Sequence, residues 1–473
     1  MTGAMRAVRN PRTGRVDCHI AVPDAAAVAA MAQDLRARQP AWAARPADER
    51  MARLLQLKAE VAARADALAA ALAADTGRTR ISRIEVAGFL GMIERWAAQA
   101  PALLAAPAPR PSATPGIRVE TALHPYALVG CISPWNFPLT LAMIDAIPAL
   151  AAGCAVLVKP SEVTPRFIGP LMDALAAVPE LPCALIAGDG ATGAALVEQV
   201  DYVAFTGSVA TGRKVAVAAA GRLIPASLEL GGKDPMLVLA SADPHWAAGV
   251  ALRASVVNTG QACQSIERVH VARPIHDAFL AALVAQAEAA RLSFPDPGTG
   301  EIGPFIFEKQ AAIVQAQIDD ALARGARLLS GGRVEELGGG LWLRPTVLAD
   351  VTFDMAVMRE ETFGPVLPVM AFDALDEGIA QANTGSFGLS AAVLAGSEAE
   401  ALAVAPRLRA GAVSVQDGGL TSMVWDAEKT SYGDSGIGPS RMGASGLLRF
   451  LRRQALLVQE GPALLLSAYA EDG

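Results

Sequence analysis

Cys263 follows a Gly-Gln turn in Asn258-Thr259-Gly260-Gln261-Ala262-Cys263, a setting in which a thiol can be activated to the nucleophilic thiolate. Glu229 stands in Leu228-Glu229-Leu230-Gly231-Gly232-Lys233. Leucines on both sides desolvate its carboxylate, which favours holding a proton and therefore base work near neutral pH. Asn136 lies in Ser133-Pro134-Trp135-Asn136-Phe137-Pro138, where two prolines stiffen the backbone around a carboxamide able to donate N–H to an oxyanion. Taken singly, each has a plainer reading: an inert cysteine, a buried carboxylate paired with arginine, and a turn asparagine.

Two glycine motifs suit phosphate. Gly188-Asp189-Gly190-Ala191-Thr192-Gly193 matches G-x-G-x-x-G between a strand-like and a helix-like run. No acidic ribose partner follows at the usual distance, because Asp201 comes too early, and an ordinary turn explains the match equally well. Phe205-Thr206-Gly207-Ser208-Val209-Ala210-Thr211-Gly212 runs from a strand end into a helix start, whose free N–H groups and positive dipole end favour a pyrophosphate. Lysine is scarce, 6 against 34 arginines, so Lys159 and Lys233 inside Gly- or Pro-marked motifs suggest sites where an ammonium is specifically wanted.

The elements that must hold these residues read as α/β. Apolar runs at 127–132, 155–158, 183–186 and 202–205, separated by helix-length segments, predict parallel strands. A second alternation follows Gly232, with strands at 236–239, 268–271 and 391–394 and helices at 276–291 and 309–324. The 46–74 stretch has the spacing of an amphipathic helix (Met51, Leu54, Leu55, Leu57, Val61), 331–340 that of a hairpin tip or mobile loop, and 454–467 that of a further apolar strand. With 473 residues, 52% hydrophobic, 18% charged and a net charge of -7, the chain predicts a folded protein of about three domains. It has no basic tract for nucleic acid, no apolar run long enough for a bilayer and no signal-peptide pattern. Five cysteines without C-x-x-C spacing argue against a disulfide framework and against a metal site, and point to the cytoplasm.

In order along the chain stand P-W-N-F-P, K-P-S-E, F-T-G-S-x-x-x-G, L-E-L-G-G-K, G-Q-x-C and E-E-x-F-G-P, preceded by Asn10-Pro11-Arg12-Thr13-Gly14. This ordered set resembles the NAD(P)-dependent aldehyde dehydrogenase superfamily. The resemblance implies that Cys263 attacks the aldehyde, that the Asn136 side chain and the Cys263 N–H hold the oxyanion, and that Glu229 activates the water that hydrolyses the thioester. It implies a cofactor cleft in which Lys159, Ser161, Glu162 and Gly190 serve the adenosine end. Gly207, Ser208 and Gly212 would serve the pyrophosphate, Glu361 and Phe363 the nicotinamide ribose, and Trp135 and Leu230 would also contact the cofactor. An ionised Glu162 favours NAD, with NADP use left open. The implied fold is a doubly wound cofactor domain (1–116 and 127–231), an α/β catalytic domain (232–453) and a β-arm (117–126 and 454–473) that pairs subunits into a homodimer or homotetramer.

Three departures stand out. Ile144-Asp145 replaces the family's frequent Trp-Lys, so that a wider tunnel for a bulky or aromatic aldehyde, a contact from Asp145 to an amino-aldehyde, or a merely repacked helix are all open. The 431–440 loop is shortened, and Gln416 replaces a common Asn. Two alternative functions share the scaffold. A CoA-acylating enzyme commonly lacks a base at Glu229, and a non-catalytic structural protein is expected to have lost Asn136, Glu229 or Cys263. All five histidines read as surface or packing residues.

Overall fold

The structure, a computed structural model, describes residues 4–471; the outermost residues of the expected terminal segments, 1–3 and 472–473, lie outside them. Two parallel-stranded sheets dominate. The first has the order Gly436–Ile437, Ala226–Glu229, Tyr202–Thr206, Leu128–Ile132, Ala155–Lys159, Cys183–Leu185, all parallel except the short Gly436–Ile437 edge. Its strands alternate between two cores. Val129 and Cys131 pack on one face with Leu54, Phe89 and Ile147, while Leu128 and Ile132 pack on the other with Leu35, Leu196 and Val215. Helices cover both faces, which is why the strand centres are mostly apolar.

The second sheet runs Arg327–Ser330, Thr346–Ala349, Val366–Phe372, Ile266–Ala272, Asp234–Val238, Ser390–Leu394, Ala412–Val415, with only the Arg327–Ser330 edge antiparallel. It too is buried on both faces, under Phe279 and Leu283 on one side and Ile379 and Val404 on the other. A third sheet pairs Ile117–Pro125 along its whole length with Leu451–Gln459, and with Arg110–Pro111 on the other edge. The chain is thus an α/β protein with a doubly wound sheet, as its strand–helix alternation predicts.

Two local expectations need correction, while the hairpin expected over 331–340 forms. The 46–74 stretch forms two helices, Ala47–Ala63 and Ala65–Thr76, because Arg64 leaves helical geometry while its guanidinium bonds back to the Glu60 carbonyl at 2.9 Å. Leu55 faces solvent whereas Met51, Leu54, Leu57 and Val61 are buried. The strand expected over 454–467 is Leu451–Gln459, since Gly461 and Pro462 end it. The 331–340 stretch opens the hairpin of Val334–Leu337 with Gly340–Leu343, joined by Gly338 and Gly339, both left-handed as a tight two-residue turn requires.

Candidate active site

In the first sheet Leu128–Ile132 is followed in sequence by the strands on one side and then by Tyr202–Thr206 on the other, so the strand order reverses between these two parallel neighbours. The carboxyl ends of such a pair diverge and leave a crevice. From them emerge Trp135 and Asn136 on one side and Gly207 and Ser208 on the other, and all four line one cleft of about 270 Å³. The opposite wall comes from segments that precede strands of the second sheet: Leu230 and Gly231, Cys263, and Glu361 and Phe363. The structure therefore brings together, from distant sequence, eight of the residues singled out above: Trp135, Asn136, Gly207, Ser208, Leu230, Cys263, Glu361 and Phe363.

Cys263 is delivered by a turn in which Asn258 (φ 62°), Thr259 (φ 60°) and Gly260 (φ 68°) are successively left-handed. Two non-glycine residues in this region mean that tertiary bonds over-determine the turn. Asn258 Nδ2 donates to the carbonyls of Gln261 (2.8 Å) and Asn136 (3.2 Å), and Gln261 Oε1 accepts from Ile306 N–H at 2.9 Å. A Cβ on Gly260 would stand 2.3 Å from the Gly364 carbonyl. The Asn136 carboxamide donates to the Gln261 carbonyl at 3.1 Å, which orients it and leaves its second N–H available, and its Oδ1 has no partner. Arg78, wholly buried and stacked on Phe137, donates to the Asn136 carbonyl at 3.1 Å; burial lowers its guanidinium to about 9. The Cys263 amide makes no hydrogen bond to a described protein group. Its thiol keeps some surface open to the cleft, yet desolvation pushes it up to about 12, with Lys429 opposing and Glu361, Glu229 and Asp234 reinforcing the rise.

Glu229 ends the strand Ala226–Glu229, half-buried, and makes no ion pair within 4 Å among the described residues; its carbonyl accepts from Gly207 N–H at 3.1 Å. The arginine partner of the plainer reading is therefore not found. The Glu361–Phe363 segment is clamped from below. Glu267 accepts from the N–H groups of Thr362 and Phe363, each at 2.7 Å, and pairs with Lys233 Nζ at 2.8 Å, which also donates to Thr362 Oγ1. This holds Phe363 in a left-handed conformation (φ 53°) with its ring edge-on to Trp135. Burial, then repulsion by Glu267, raises the Glu361 carboxyl to about 8.

A second cluster sits at the carboxyl end of Ala155–Lys159. Lys159 Nζ donates to the Gly188 carbonyl at 2.8 Å and lies 3.7 Å from Glu162; Arg6 of the N-terminal hairpin lies 3.6 Å from Glu162 and 3.1 Å from Asp189. Ser161 is buried, its Oγ accepting from Val163 N–H, and Gly190 is exposed at the start of the helix Gly190–Val197. Ser208 caps the helix Val209–Gly221, and Gly212 packs so tightly on Leu230 that a Cβ would meet it at 2.4 Å. A capped helix start, a cleft kept narrow by glycines and carboxylates at either end suit a dinucleotide.

Asp145 is withdrawn from any aldehyde. It is fully buried, paired with Arg441 at 3.0 Å and with Arg449, and burial's upward push on its pKa is outweighed by these two cations. Ile144 packs in the hydrophobic core, and Leu141, one turn earlier, faces the cleft instead. The shortened loop docks its Gly436–Ile437 strand beside Glu229, and Gln416 bonds both polar groups of Ala395. His270, one of the residues assigned to packing, is buried against Phe353 and Gln381. Arg78 and Glu267 carry no sequence signal; Asn258 and Gln261 stand in the motif before Cys263 without a role read from it, and the scarcity of lysine marks Lys233. Among the described residues no cluster of His, Cys, Asp and Glu could hold a metal ion, and no helix is long and apolar enough to cross a membrane.

The family model described as Aldehyde dehydrogenase family matches residues 2–456. A protein of Mycolicibacterium smegmatis named "Putative succinate-semialdehyde dehydrogenase (NADP(+))" is 39% identical over 95% of this chain and 88% of its own length. Among solved structures, the "Putative Aldehyde Dehydrogenase PutA from Anabaena variabilis" superposes with a TM-score of 0.96 at 49% identity, covering 98% of this chain and 99% of its own. A betaine aldehyde dehydrogenase of Staphylococcus aureus in complex with NAD+ does so with a TM-score of 0.91 at 28% identity, covering 98% and 93%. The chain belongs to the aldehyde dehydrogenase family and is an oxidoreductase acting on aldehydes.

Proposed function

We propose that the chain oxidises an aldehyde to a carboxylic acid through a covalent cysteine adduct. The observation that carries this reading is the convergence of Cys263, the oriented Asn136 carboxamide and the capped start of Val209–Gly221 on one cleft. The Cys263 thiolate adds to the carbonyl carbon. The free N–H of Asn136 and the Cys263 amide take up the charge that develops on oxygen, as fixed donors do without reorganising. Bound NAD or NADP supplies the acceptor for the hydride that leaves the adduct. The resulting thioester on Cys263 is hydrolysed by water, and Glu229, half-buried and free of an arginine partner, takes the water's proton.

The cleft residues Trp135, Gly207, Ser208, Leu230, Glu361 and Phe363 would hold the nicotinamide and pyrophosphate, with Gly212 allowing Leu230 to close in, and Lys159, Ser161, Glu162 and Gly190 the adenosine. Two of the similar proteins support both cofactors, one named for NADP(+) and one holding NAD+. The charge around Glu162 agrees: met by Lys159 and Arg6, it repels a 2′-phosphate less than an isolated carboxylate does. In this reading 1–116 and 127–231 form the cofactor domain, 232–453 the catalytic domain, and 117–126 with 454–473 a subunit-pairing arm. The test is reduction of NAD and NADP with short aliphatic, long aliphatic, aromatic, amino- and carboxylate-bearing aldehydes, with and without CoA. Acid formation unaffected by CoA supports the reading; acyl-CoA as product would replace it with the acylating one.

A further inference from the structure

We propose that Lys429 is a positioning residue for the nucleophile: its buried ammonium, tethered through Gln264, holds the positive charge that favours the Cys263 thiolate. The proposal rests on the reading of Cys263 as the attacking group. Lys429 is 8% exposed and has no carboxylate within 4 Å among the described residues; its charge reaches the buried Asp234 carboxyl as well as the Cys263 thiol. With the Gln264 carboxamide turned so that each end meets a complementary partner, Oε1 accepts from Lys429 Nζ at 2.7 Å and Nε2 donates to the Thr421 carbonyl (3.2 Å) and Oγ1 (3.0 Å). Gln264 is the residue next to Cys263, so one bond ties the ammonium to the nucleophile's own turn. The Lys429 N–H is itself fixed on Ser440 Oγ at 3.1 Å.

The charges facing the thiol make the need for such a cation clear. Glu229 from the first sheet, Asp234 from the second and Glu361 from the cleft wall all oppose thiolate formation, and Lys429 is the leading attractive charge. Asp234 is itself raised to about 7 by burial and bonded to Ser390, so its opposition is partial at neutral pH. The proton released from Sγ goes to solvent. Nothing in sequence marks the residue except that it is one of only six lysines.

The test is the rate of Cys263 alkylation by iodoacetamide against pH, in the full-length protein without cofactor and with Cys263→Ala as the blank. Lys429→Met should slow alkylation about tenfold at each pH, the equivalent of a one-unit rise in thiol pKa. Lys429→Arg should restore most of the rate. Gln264→Glu, which neutralises the ammonium in place and spares the buried contact, should mimic Lys429→Met. Unchanged alkylation in both Lys429→Met and Gln264→Glu overturns the proposal. So does a loss confined to iodoacetate, or to KM for carboxylate-bearing aldehydes, because Lys429 would then be an anion anchor for substrate. Since the readout needs no turnover, it stands apart from the nucleophile reading, which fails instead if Cys263→Ala still oxidises aldehydes.

Discussion

Asn136, the proposed oxyanion donor, is held by several supports. One of its N–H bonds is committed to the Gln261 carbonyl, and its own carbonyl is held by Arg78 and Asn258. Asn136→Ala should lower kcat by about 100-fold or more with little change in KM, as expected for a donor that acts on the developing oxyanion; steady-state kinetics decide. Arg78→Met should lower kcat less, roughly tenfold, by loosening the loop and not by touching substrate. That Cys263 and Asn136 share one cleft was foreshadowed in sequence by reactive residue types in Gly- and Pro-marked turns. Arg78 was not, because its partner lies 58 positions away, nor was Glu267, whose clamp on Thr362 spans 95 positions. Asp145 read as a possible substrate contact only because its two arginines arrive about 300 residues later.

At the scale of elements, strands read well because a sheet buried on both faces writes itself as apolar runs. Helix ends and the 454–467 stretch read less well, because Arg64 and Gly461 act through local bonds that periodicity does not register. The left-handed turn before Cys263 is the element most exposed to mutation. Gly260→Ala should destabilise the fold by about 2 kcal/mol or more, since it adds both a strained φ and a clash with the fixed Gly364 carbonyl, and should lower the denaturation midpoint.

The strand Ile266–Ala272 carries a pH signature. Burial, then Arg268, lowers the His270 imidazole from its ordinary value to about 3, so between pH 6.5 and 3 the unfolded chain binds a proton that the native one does not. Stability from this group is complete above about pH 6.5 and falls with pH by at most about 1.4 kcal/mol per unit. The buried carboxyls of Asp75, Glu85 and Asp234, raised to about 7, act with the opposite sign, holding native-state protons as pH falls from 7 to 4. The difference between denaturation profiles of wild type and His270→Gln at pH 7 and 5 isolates the imidazole, and the variant should lose less stability on acidification.

For the whole molecule, the site belongs to neither sheet alone. The carboxyl ends of one face the pre-strand turns of the other, which explains why the site's motifs are spread from 135 to 363. The arm Leu451–Gln459 leaves one edge without a partner strand and Leu457 69% exposed. An unpaired edge with exposed apolar side chains is a template on which a second chain can pair. Light scattering should give a dimer or tetramer, and Leu457→Glu should shift it towards monomer; an unshifted monomeric wild type would remove the arm's role.

In the proposed mechanism Cys263 carries the acyl group and Glu229 activates the water that hydrolyses it. Intact-mass analysis of Glu229→Gln mixed with NAD and a substrate aldehyde tests this most directly. The account predicts a burst of one NADH per subunit and an acyl mass increment located on Cys263. An increment on any other residue, or none despite a full burst, would contradict it.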